Sequence, residues 1–168
     1  MRLLLITLST ALAMIAPGLV QAEQLALPTD PVILTIRGNI ANTNIGDTAE
    51  FDLAMIDALE QHTTTTETPW YDDARSFSGP LVSALFDAVG AQGTVVTVTA
   101  LNDYSAEIPM SDFLDYPVIF ATRLDGETLS VRDMGPLFLI YPFDVAPGLY
   151  NEVYFSRSVW QITSITVH

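Results

Sequence analysis

The 168-residue chain has no cysteine, no lysine and only two histidines, and its six arginines face twenty aspartates and glutamates, for a formal charge of −14. Each shortage removes a class of chemistry. Without cysteine there is no disulfide framework, no thiolate nucleophile and no thiolate metal ligand, so the fold rests on its own core. His62 and His168 are the only imidazoles and no G-x-S-x-G occurs, which leaves a serine hydrolase without a well-placed base and zinc without a recognised ligand spacing. The acids Asp72-Asp73, Asp112 and Asp115 lack the spacing of a calcium loop. Scattered carboxylates do not argue a glycosidase, and no glycine-rich phosphate loop is present. With positive charge this scarce, nucleic acid and direct membrane binding are not expected.

The chain begins MRLLLITLSTALAMIAPGLVQA: Arg2, an apolar run from Leu3 to Ile15, then Val20-Gln21-Ala22. The run is shorter than the roughly 20 residues a spanning helix needs, and Pro17-Gly18 breaks it. This is the pattern of a signal peptide, residues 1–22, cleaved after Ala22. The expected mature part, residues 23–168, has the length of one domain and a periplasmic or secreted address. Loss of Arg2 takes its formal charge from −14 to −15.

Pro31 to Gly38 reads as a β-branched strand, and Asp52 is a suitable N-cap for a short helix carrying Leu53, Ile56 and Leu59 on one side. The threonines Thr63 to Thr66 favour a strand. Trp70 to Arg75 is expected to be a polar, aromatic loop feeding a helix capped by Ser78, with Leu81, Leu85 and Ala88 inward, Asp87 solvated and Gly90 as its stop. Further strands are expected at Gly93–Ala100, Pro117–Thr122, Leu137–Tyr141 and Val159–Val167, the last with a bulge near Ser164. Asn102-Asp103 makes a turn, Tyr104-Ser105 opens a second loop, and Asp125-Gly126 marks a hairpin. The fold class is α+β: one mainly-β, mixed-sheet domain with two or more short helices.

Binding chemistry is what these residues favour. Two loops, Trp70–Arg75 and Asn102–Ser105, combine aromatics with hydrogen-bonding groups, and a third, Arg123–Met134, adds hydrogen-bonding groups and two arginines. A planar heteroaromatic ligand needs a stacking surface, here Trp70, Tyr71 or Tyr104, and edge-on partners, here Asp72, Asp73, Asn102 or Asp103. An anionic tail would call for Arg75, Arg132 or Arg157. The competing reading is that these arginines pair with surface carboxylates.

The order of motifs resembles the molybdopterin-binding oxidoreductase domain, the sulfite oxidase fold. The resemblance rests on Phe77-Ser78-Gly79-Pro80-Leu81 with Leu85, on Asn102-Asp103-Tyr104, and on Pro117-Val118-Ile119-Phe120-Ala121 with Asp125-Gly126. It continues through Gly135-Pro136-Leu137-Phe138-Leu139-Ile140-Tyr141-Pro142 and Trp160-Gln161-Ile162-Thr163-Ser164-Ile165. It spans Val32 to Val167. Enzymes of that family hold molybdenum through a cysteine a few residues before the tryptophan equivalent to Trp70; here the neighbourhood is Thr64-Thr65-Thr66-Glu67. A hydroxyl or carboxylate is a harder donor than thiolate, so molybdenum is not expected. The resemblance therefore implies the small, exported, cysteine-lacking branch: a non-catalytic periplasmic protein binding a pterin or molybdopterin-like ligand and reporting to a membrane-bound sensor or cyclic-dinucleotide enzyme. Two alternatives are a molybdenum oxidoreductase with a non-cysteine ligand and a ligand-free interaction module.

Overall fold

Short alternating segments build most of the described chain, residues 25–168 of a computed structural model; the expected leader lies outside the described residues. In chain order the elements are β1 (Leu34–Gly38), β2 (Ala49–Phe51), α1 (Leu53–Asp57), β3 (Gln61–Thr68), β4 (Tyr71–Pro80), α2 (Val82–Val89), β5 (Val95–Ala100), β6 (Ser105–Pro109) and α3 (Ser111–Asp115). There follow β7 (Ile119–Ala121), β8 (Arg123–Leu124), β9 (Glu127–Thr128), β10 (Phe138–Ile140), α4 (Glu152–Arg157) and β11 (Ile162–Val167). The class is α+β, mostly strands with a few short helices.

A five-stranded sheet in the order β2-β1-β11-β5-β6 carries the main core. Its centre is mixed: β1 runs parallel to β11, whereas β11 is antiparallel to β5. The register of β11 on β5 shifts between Ile162 and Ser164, the bulge expected near Ser164, so Ile162, Ile165 and Val167 all point inward. Helix α2 covers this core with Val82, Leu85, Phe86 and Val89. Full burial of side chains this size contributes roughly 1.5–3 kcal/mol each. A four-stranded sheet, β3-β4-β8-β9, and the pair β10-β7 enclose a smaller cluster of Phe77, Ile119, Ala121, Leu129, Phe138 and Ile140. Trp70 touches both clusters.

Several sequence expectations hold. Asp52 caps α1, its Oδ1 accepting from the Met55 N–H at 2.8 Å. The threonine run lies in β3, Gly90 ends α2, Asp87 is exposed, and Asp125-Gly126, both at positive φ, join β8 to β9. Others are corrected. Trp70–Arg75 is not a loop into a helix: Trp70 sits in the turn between β3 and β4, and Tyr71 begins a ten-residue strand that runs on to Pro80. The β3 pairing explains the difference, for Thr64, Thr65 and Thr66 oppose Phe77, Ser76 and Arg75, and the ladder keeps this polar stretch extended.

Ser78 accordingly caps nothing. It pairs in β4, and α2 begins only at Val82, after Leu81, which makes no side-chain cap. The buried stripe of α2 starts at Val82 instead of Leu81, one residue round from expectation. Gly79 has a packing reason: a Cβ there would lie 2.0 Å from the Phe120 carbonyl oxygen, so only glycine lets β4 pass so close to β7. Tyr104-Ser105 opens no second loop, since β6 starts at Ser105. The Arg123–Met134 stretch is largely the β8–β9 hairpin and a 3-10 turn at Val131–Asp133. Helices α3 and α4 were not anticipated. Among the described residues, no helix is long and apolar enough to cross a membrane.

Candidate ligand-binding site

A cavity of about 340 Å³ opens where the β3–β4 turn, the β5–β6 turn, α4 and the residues before β11 converge. That lies within the ~300–1,000 Å³ usual for small-molecule sites. Trp70, Tyr104, Phe155 and Trp160 supply its aromatic surface, and Ala100, Asn102, Glu152, Ser156 and Ser158 complete the lining. Trp70 is fixed by edge-on contacts at centroid distances of 5.2 Å to Phe138, 6.0 Å to Trp160 and 6.2 Å to Phe155. The two indoles meet at 72°, making a corner and not a sandwich. A flat ring can stack on one of them while the other bounds its edge.

The walls are held by the turns themselves. Asp103 takes a left-handed φ of 66°, and the Tyr104 N–H donates to Asn102 Oδ1 at 3.1 Å, closing the β5–β6 turn. The Tyr104 O–H donates to the Ser156 carbonyl at 2.8 Å, tying that turn to α4. Asn151 caps α4 by accepting from the Val153 N–H at 3.0 Å. At the other end of α4, Arg157 turns inward: its Nη1 donates to Asp112 Oδ2 at 2.8 Å, and the Tyr141 O–H donates to the same oxygen at 2.8 Å. Burial, reinforced by the Asp112 charge, pushes the Tyr141 hydroxyl far above its ordinary pKa, so it stays a proton donor.

Of the ten candidate residues named from sequence, three line this cavity: Trp70, Asn102 and Tyr104. Asp103 belongs to the same turn but is not part of the lining. Tyr71 and Arg75 sit elsewhere on β4, with the guanidinium 5.4 Å from the ring centroid and paired to Asp125 in the β8–β9 turn. Burial raises the Tyr71 pKa. Asp72 and Asp73 are exposed on β4, and Arg132 is exposed on the 3-10 turn. Pairing with a surface carboxylate, the competing reading, holds for Arg75 with Asp125; Arg157 pairs instead with the buried Asp112, and Arg123 pairs with Asp57 at 2.7 Å.

Sequence reading missed Glu152, Phe155, Ser156 and Ser158, and took Trp160 only for a strand residue. The signal for α4 was Asn151 followed by Glu152, a cap and a first-turn acid, though six residues give too short a period to read.

A second cavity, of about 430 Å³, is lined by Thr65, Thr66, Glu67, Ala74, Phe143, Asp144, Pro147 and Tyr150. Phe155 divides it from the first, packing edge-on against Phe143 at 5.6 Å and Tyr150 at 4.9 Å.

The profile of the "Oxidoreductase molybdopterin binding domain" family matches residues 44–167. The chain belongs to this family. Among solved structures it is similar to the sulfane dehydrogenase SoxCD from Paracoccus pantotrophus, with a TM-score of 0.61 at 16% identity, over 80% of this chain but 37% of that one. At that identity the likeness is one of fold, and the chain spans little more than a third of the relative's length. A comparison with curated proteins found no match.

A thiolate-bound molybdenum centre does not fit the residues present. No cysteine exists, and no group of three His, Asp or Glu residues able to hold a metal occurs among the described residues. The inward face of β3 offers hydroxyls: Thr64, Thr66 and Thr68, all buried. That of Thr66 is already engaged, accepting from the Asp144 N–H at 3.1 Å and donating to the Glu67 carbonyl at 3.2 Å. It braces the loop after β10.

Proposed function

We propose that the protein binds a pterin-type ligand in the aromatic cavity and performs no chemistry at molybdenum. The observation that carries this reading is the corner of Trp70 and Trp160 beside Tyr104 and Phe155, a stacking surface in a fold family named for a pterin cofactor. Asn102 and Glu152 supply polar groups at its margin. The thiolate is missing, whereas the apolar recognition surface needs no sulfur. Binding is expected to quench tryptophan fluorescence. Titration with oxidised and reduced pterins tests this, and absence of both quenching and heat for every pterin overturns it. Trp160→Ala is the informative variant, because Trp160 is partly exposed and outside both core clusters. It is expected to weaken binding about 5- to 150-fold, the equivalent of the ~1–3 kcal/mol that base–aromatic stacking contributes, while the fold persists.

The leader pattern and the resemblance support a periplasmic or secreted protein, residues 23–168 after cleavage, whose ligand state is reported to a membrane-bound sensor or cyclic-dinucleotide enzyme. A pulldown of such a partner that strengthens with pterin and is lost in Trp160→Ala is the expected result. Capture indifferent to pterin and to that change favours a ligand-free interaction module instead.

A further inference from the structure

Charge around the cavity points to a narrower ligand class. Of the residues lining it, Glu152 is the one that carries a formal charge at neutral pH, and no arginine or histidine is among them. The helix that provides Glu152 has one cation, Arg157, and that guanidinium is committed to Asp112 on the inner side. Arg75 and Arg123 are paired on other elements, to Asp125 and Asp57. Arg132 stands on the turn beside Gln161, whose side chain donates to the Val131 carbonyl, but it is not part of the lining. The whole chain carries a charge of −14. A phosphate monoester in this cavity would meet a carboxylate and a strongly negative surface with no lining cation to answer it.

Glu152 itself has the chemistry for the opposite task. None of the three ion pairs among the described residues involves it. A 2-amino-4-oxo pyrimidine edge presents two adjacent N–H donors, which a carboxylate accepts in parallel, whereas a 2,4-dioxo edge replaces one donor by an oxygen that repels it.

We infer that the cavity selects a 2-amino-4-oxo heteroaromatic ring with an uncharged side chain, read at its edge by Glu152, and discriminates against phosphorylated forms, among them a phosphate-bearing molybdopterin. This rests on the pterin reading and sharpens it. The test is calorimetric titration of the full mature chain with neopterin, neopterin phosphate and lumazine, for the native protein and Glu152→Gln. Neopterin is expected to bind at least tenfold more tightly than its phosphate, with the gap shrinking as salt is raised. Lumazine is expected to bind at least tenfold more weakly than neopterin, and Glu152→Gln to narrow that difference by lowering neopterin affinity about tenfold. Equal binding of the phosphate, or no response to Glu152→Gln in a folded variant, overturns the inference while leaving pterin binding intact. Tighter binding of the phosphate that Arg132→Ala abolishes would overturn it in favour of Arg132 as an anion anchor. If none of the three binds, the pterin reading falls with it.

Discussion

Asp112 shows how one buried carboxylate can organise a site it does not touch. It accepts from both Tyr141 and Arg157, and so joins α3, the end of β10 and α4 in one network. Removing one partner of a buried pair leaves the other uncompensated, typically at a cost of ~3–5 kcal/mol. Asp112→Ala is therefore expected to destabilise the fold by about 3 kcal/mol in urea or guanidinium unfolding, because Arg157 and the Tyr141 hydroxyl would both lose their acceptor. Tyr141→Phe, which spares the ion pair, is expected to cost about 1 kcal/mol. Arg75 is the contrast: both members of its pair with Asp125 are well exposed, at 39% and 43%. Arg75→Ala is expected to change stability by less than ~1 kcal/mol and, under the proposed function, to leave pterin affinity unchanged, since Arg75 is outside the cavity.

Among the elements, β4 decides most. Its ladder with β3 converts an apparently irregular acidic stretch into a strand, and its far end passes so near β7 that Gly79 cannot accept a side chain. Gly79→Ala is expected to force the two strands apart and lower stability by about 3 kcal/mol, the upper end of overpacking costs, read as a shift in denaturation midpoint. Much of the secondary structure was legible beforehand: the β-branched strands, the Asp52 cap, the Asp125-Gly126 hairpin and the bulge near Ser164. Helix α4 was not, because its six residues pack through Tyr154 and Phe155 against a core assembled from distant strands.

For the whole molecule, acidity sets the response to pH and salt. Backbone N–H groups of Met55 and Thr29 hold the Asp52 carboxyl below its ordinary pKa. The Arg123 hydrogen bond does so for Asp57, and the Ser76 N–H with Arg75 does so for Asp125. Folded values below the unfolded ~3.9 mean that this stabilisation is fully present above that pH and is lost as pH falls through the lowered values. Thermal melts are expected to show the melting temperature falling steeply below about pH 4, with a shallower fall in Asp57→Asn. Near neutral pH the charge of −14 repels itself, so added salt is expected to raise the melting temperature by screening.

The sequence by itself determined the fold class and the family pattern, because strand alternation, turn chemistry and motif order are local. It also excluded thiolate chemistry outright, since an absent residue is absent in any fold. It brought Trp70, Asn102 and Tyr104 forward as candidates, for aromatic and polar residues close together in the chain are visible without coordinates. Only the tertiary structure decided which candidates share a space. Pairing and packing turned Tyr71 and Arg75 toward another hairpin, committed Arg157 to Asp112, and brought Glu152 and Trp160 to the same cavity wall across the chain from Trp70. Those meetings depend on long-range register and burial, which no run of neighbouring residues encodes.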